Sequence, residues 1–94
     1  MPTRTVQICN QHGLHARPAT QFVTTASKFK AEVFVAKGGD SDAAQFEANG
    51  KSILGVLLLQ AEAGSDLVIR TEGADADDAL GALTALVESG FGES

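Results

Sequence analysis

The stretch from Thr3 to Ala26, TRTVQICNQHGLHARPATQFVTTA, changes its apolar period once. From Thr3 to Ile8 the residues alternate, and Val6 and Ile8 share a face, as in a strand. From Ala16 onward the spacing is helical: Ala19, Phe22, Val23 and Ala26 stand at i, i+3, i+4 and i+7. Pro18 lies in the first turn of that helix, where a missing N–H costs nothing. Asn10-Gln11-His12-Gly13 between the two segments reads as a loop. A strand therefore feeds a helix through a short polar junction.

The rest of the chain follows from the same rules. Ala31 to Ala36 is rich in β-branched and aromatic residues and reads as a second strand. Lys37-Gly38-Gly39-Asp40-Ser41-Asp42 is expected to be a solvated hairpin loop. Ala44, Phe46 and Ala48 alternate with polar residues as a short third strand, closed by the Asn49-Gly50 turn. Ser52 is a candidate N-cap. The apolar run from Ile53 to Leu59 fits either a short helix with an exposed apolar face or a buried strand. After the Gly64-Ser65 turn, Asp66 to Thr71 forms a fourth strand. A last helix carries the stripe Ala76, Ala79, Leu80, Leu83 and Val87, with Asp75, Asp77 and Asp78 at its positive end and Gly90 as its stop. The order β-α-β-β-α-β-α predicts an α+β open-faced sandwich. In it a four-stranded antiparallel sheet is covered on one face by three helices. Residues 1–94 make a single domain.

Composition narrows the function. Hydrophobic residues are 44% of the 94 and charged residues 20%, a globular balance. Twelve acidic against seven basic residues, with no Trp, no Tyr and no basic block, argue against nucleic-acid binding. No apolar run is long enough to span a bilayer and no signal-type core follows Met1, so a cytoplasmic location is expected. The single cysteine, Cys9, excludes an internal disulfide framework and reads as a small buried residue. Cys9, His12 and His15 recur at three-residue spacing, but no further Cys or His exists to complete a structural zinc site, so no metal is expected. Gly50-Lys51-Ser52 mimics the end of a P-loop, yet Gln45 stands where the first glycine is required.

Chemistry concentrates at the junction. His15 falls at or just before the helix N-cap, and the backbone N–H groups of Ala16 and Arg17 have no partner inside the helix. Arg17 adds a permanent cation whose forked donors suit phosphate oxygens. A neutral imidazole there has a lone pair for attack on phosphorus. Helix end and guanidinium can hold the anion that results without burying it.

Asn10-Gln11-His12-Gly13-Leu14-His15-Ala16-Arg17-Pro18-Ala19 resembles the active-site segment of the HPr family, the histidine-containing phosphocarriers of the bacterial phosphoenolpyruvate-dependent phosphotransferase system. Asn49-Gly50-Lys51-Ser52-Ile53-Leu54-Gly55-Val56 resembles the family's regulatory segment, and Gly73 to Leu80 the start of its last helix. The resemblance implies that His15 accepts a phosphoryl group on Nδ1 from the phosphohistidine of enzyme I and passes it to an enzyme IIA-type domain. Arg17 and the Ala16 backbone would stabilise it. The resemblance also implies modification of Ser52 by HPr kinase/phosphorylase, and a partner-docking surface supplied by Ile53, Leu54, Val56 and Leu57. The protein would be a monomeric carrier and a substrate of transferases, with no cofactor and no turnover of its own. The stretch from Lys37 to Gln45 is longer than the family's usual hairpin, which bears on partner choice and not on the His15 chemistry. The competing expectation is a regulatory module acting through Ser52 and partner binding, with His15 idle.

Overall fold

A computed structural model describes residues 2–11, 13–38 and 47–92. Strand β1 (Thr3–Gln7) leads to helix α1 (Ala16–Ala26), then β2 (Glu32–Lys37), β3 (Glu47–Asn49), helix α2 (Ile53–Leu58), β4 (Asp66–Glu72) and helix α3 (Ala76–Glu88). A 3-10 turn, Gly90–Gly92, follows. The four strands form one sheet in the order β1-β4-β2-β3, and each neighbouring pair is antiparallel. The three helices cover one face of the expected open-faced sandwich.

Strand alternation decides which face is covered. Val6, Val33, Val35, Ala48, Leu67 and Ile69 are all buried and lie in one core with Phe22 of α1, Val56 of α2 and Leu83 of α3. The residues between them in the strands are more exposed. There Arg70 stacks over Phe34, 4.2 Å from guanidinium carbon to ring centre, and grips Glu47 with donors at 3.1 and 2.7 Å. These hydrogen bonds hold the Glu47 carboxyl below its ordinary range.

The ambiguous apolar run is a helix because Ser52 begins it. The Ser52 hydroxyl oxygen accepts the Gly55 N–H at 3.1 Å, and its carbonyl accepts the Val56 N–H at 3.0 Å. Val56 and Leu59, three apart, then face the core while Leu54 and Leu58, four apart, face out. Asp75 behaves differently from the helix-start charge expected of it. Its side chain makes no cap bond in α3. The carboxylate accepts the N–H groups of Lys30 and Ala31 at 2.9 and 2.7 Å, pinning the α1–β2 connection to the start of α3.

Two smaller expectations change. Cys9 is exposed, not buried, and its thiol donates to the carbonyls of Val87 and Glu88 at 3.5 and 3.4 Å. Lys37 ends β2 instead of opening the hairpin loop. The expected third-strand residues Ala44 and Phe46, and the long loop from Gly39 to Gln45, lie outside the described residues. No helix among the described residues is long and apolar enough to cross a membrane.

Candidate functional site

The junction between β1 and α1 is shaped by its backbone. Gly13 takes φ +66°, and a Cβ there would sit 2.5 Å from the Ala61 carbonyl oxygen. Only glycine meets both demands. Leu14 is buried and its N–H donates to that same Ala61 oxygen at 2.9 Å. His15 follows as the N-cap, with φ −88° and ψ −167°. Its N–H donates to the Gly13 carbonyl at 3.0 Å, and its carbonyl accepts the Ala19 N–H at 2.9 Å.

The capping is done by the His15 backbone alone; the imidazole makes no cap bond. The residue is half-buried and the ring's Nε2 is shut off from solvent. Arg17 is exposed, one turn-position into the helix, and no acidic residue occupies that first turn. The start of α3 contrasts, with Asp77 and Asp78 in its first turn. The positive end of α1 is therefore left uncompensated by its own side chains, and Arg17 adds to it. Pro18 is buried and carries no N–H to satisfy. Such a place attracts an oxyanion next to an imidazole.

The second segment begins at the Asn49-Gly50 turn. A Cβ on Gly50 would lie 2.4 Å from Val33 Cγ1, and the Gly50 N–H donates to the Val33 carbonyl at 2.7 Å. Asn49 Oδ1 accepts the Lys51 N–H at 2.9 Å, its carbonyl accepts the Ser52 N–H at 3.0 Å, and Lys51 Nζ donates to the Phe29 carbonyl at 2.8 Å. Ser52 is thus held half-buried at the head of α2.

The expected docking set needs correction. Ile53 and Leu54 are 44% and 68% exposed, but Val56 is fully buried and Leu57 is half-buried against the core. Leu58, missing from that set, is 58% exposed. The signal was the i+4 spacing from Leu54 to Leu58, which becomes readable once Ser52 is taken as the cap. Ala61 was missed too; its role is carried by a backbone carbonyl, which no side chain announces. His12, the middle member of the Cys9, His12 and His15 spacing, lies outside the described residues. Among the described residues no group of three or more His, Cys, Asp or Glu could hold a metal.

Comparison with known proteins gives the family and the fold. Residues 2–89 match the family model described as the PTS HPr component phosphorylation site. The chain is 44% identical over 93 residues to phosphocarrier protein HPr of Neisseria meningitidis serogroup A, covering 99% of this chain and 98% of that one. It is 41% identical over 91 residues to phosphocarrier protein NPr of Shewanella violacea, covering 97% and 93%. The crystal structure of HPr-C-His from Thermoanaerobacter tengcongensis superposes with a TM-score of 0.87 at 41% identity, covering 100% of this chain and 99% of that one. A strand-to-helix junction bearing His15, and a match along nearly the whole length, place this chain in the HPr family of phosphocarriers of the phosphotransferase system.

Proposed function

We propose that His15 is the phosphoryl-accepting residue of this phosphocarrier and that Nδ1 is its reacting atom. The carrying observation is the N-cap itself: the His15 backbone starts α1 while its ring takes no part in capping. Nε2 is shut off from solvent, and membership of the HPr family implies Nδ1 as the reacting atom. The donor is the phosphohistidine of enzyme I. A new N–P bond forms at His15 as the donor N–P bond breaks, and the electron pair returns to the donor imidazole. The reverse sequence delivers the group to a histidine of an enzyme IIA-type domain. Arg17 and the N–H groups of Ala16 and Arg17 hold the phosphoryl oxygens. The chain is a carrier and has no turnover of its own.

Ile53, Leu54 and Leu58 form the apolar part of the docking surface for both partners. Ser52 heads that surface and is the site of regulatory phosphorylation by HPr kinase/phosphorylase. A phosphate there adds about two negative charges beside the apolar patch and weakens acceptance from enzyme I. The test is incubation with phosphoenolpyruvate and enzyme I, followed by mass measurement. The chain gains one acid-labile phosphoryl group, and His15→Ala gains none. Labelling of His15→Ala at the wild-type level would sink the assignment. It would favour the regulatory module, whose label comes from ATP and the serine kinase instead.

A further inference from the structure

Asn10 is buried to 1% exposure, one of only three buried polar residues among those described. Burying an amide is costly unless its hydrogen bonds are made, so such a residue needs a structural reason. Its Nδ2 donates to the Gly13 carbonyl at 2.9 Å, and its own carbonyl accepts the Gly13 N–H at 3.4 Å. The same Gly13 carbonyl also accepts the His15 N–H at 3.0 Å. One oxygen therefore joins the Asn10 amide to the backbone of His15. Asn10 is anchored from behind. Its neighbour Cys9 donates to the carbonyls of Val87 and Glu88, and a Cβ on Gly90 would lie 3.7 Å from both Asn10 Cβ and Cys9 Sγ.

We propose that Asn10 is a positioning residue for phosphoryl transfer: its buried amide orients the Gly13 carbonyl, which sets the backbone of His15 and hence the placement of its ring. The inference rests on His15 being the phosphoryl acceptor. In-line transfer is sensitive to placement, and a misplacement of about 1 Å can cost on the order of 100-fold in rate. Asn10 itself touches no phosphoryl oxygen in this role. Its loss is therefore expected to lower kcat and leave KM for enzyme I nearly unchanged, because Arg17 and the exposed face of α2 are untouched.

The experiment measures transfer from enzyme I to wild type, Asn10→Ala, Asn10→Asp and Val35→Ala. Asp keeps the volume of Asn but removes the N–H donors. Val35→Ala is a core change on β2, away from the junction, and controls for lost stability. The expected result is a kcat lower by about 10- to 100-fold in both Asn10 variants, with little change in KM, and wild-type kcat in Val35→Ala. Wild-type kcat in either Asn10 variant overturns the inference, as does an equal loss in Val35→Ala. A second measurement needs no variant to fold. In the wild-type chain, the Asn10 side-chain amide protons must be protected from solvent exchange with His15 free and phosphorylated. Rapid exchange in either state rejects the proposal. Failure of the His15 reading itself is separate, because the His15→Ala variant would then label like wild type.

Discussion

The N–H of Leu14 and the carbonyl of Ala61 are hydrogen-bonded at 2.9 Å, joining the residue before His15 to the loop that follows α2. The His15 segment and the loop after α2, 47 residues apart from Leu14 to Ala61, thereby share a backbone hydrogen bond. Gly13 lies against the same carbonyl, and its space is closed. Gly13→Ala is expected to destabilise the chain by at least about 1–3 kcal/mol, from the left-handed backbone alone, with steric overlap added. Urea denaturation measures it. A variant as stable as wild type would show that the junction does not dock on Ala61.

Gln60 takes φ +52° immediately after the end of α2, a conformation that suits glycine. It is exposed, so its side chain is not needed for packing. Gln60→Gly should stabilise the chain by about 0.5–1 kcal/mol. Relief of left-handed strain is opposed there by the greater freedom of glycine in the unfolded chain. Thermal unfolding should show a Tm raised by a few degrees, and a lowered Tm would contradict the strain argument.

Val56 and Leu54 differ by two positions and lie on opposite faces of α2, Val56 buried and Leu54 exposed. Val56→Ala removes two buried methyl groups and leaves a cavity, which should cost about 2 kcal/mol. Leu54→Ser, on the exposed face, should change stability by less than about 0.5 kcal/mol but raise KM for transfer from enzyme I. Denaturation and transfer kinetics on the two variants separate core from the proposed docking surface. A KM unchanged in Leu54→Ser would remove α2 from the interface.

The strand-to-helix junction was readable because periodicity changes from two to nearly four across it, and because Pro18 and Gly13 tolerate only special positions. His15 and Arg17 followed from that register. The face of α2 was less legible. Seven consecutive residues from Ile53 to Leu59, six of them apolar, carry almost no periodic contrast, so Val56 and Leu57 could not be told from Leu58 without the helix start. Asn10 and Asp75 were hidden for another reason. Their partners are backbone groups: Gly13 for Asn10, and Lys30 and Ala31 for Asp75. Backbone acceptors and donors are the same at every residue and leave no mark in a sequence.

Asp75 makes acid stability testable. The backbone N–H of Lys30 is the largest cause holding its carboxyl below the ordinary value, with the Ala31 N–H and the charge of Lys51 adding to it. A carboxyl lowered in the folded state stabilises above its unfolded pKa, near 4, and loses that contribution as pH falls through the lower folded value. Glu47 acts in the same sense through Arg70. Asp75→Asn keeps an acceptor but cannot titrate. Urea midpoints from pH 7 down to pH 2 should fall less steeply below about pH 4 in Asp75→Asn than in wild type. Parallel curves would show that the Lys30 and Ala31 bonds do not favour the ionised carboxylate.

Arg17 is exposed at the first turn of α1 and enters no ion pair with any described residue, so the fold does not depend on its charge. Arg17→Ala is therefore expected to unfold within about 0.5 kcal/mol of wild type. Transfer is another matter, because under the proposed function the guanidinium would meet charge that exists only while a phosphoryl group is arriving, resident or leaving. Losing such a donor typically costs about 100- to 1000-fold in rate. Lysine restores the charge but not the paired, planar donors, so Arg17→Lys should recover only part of that loss. Rapid-quench transfer from phosphorylated enzyme I ranks the three proteins. Full recovery in Arg17→Lys would reduce the role of Arg17 to its charge, and wild-type rates in Arg17→Ala would leave the helix end as the sole anion-holding group.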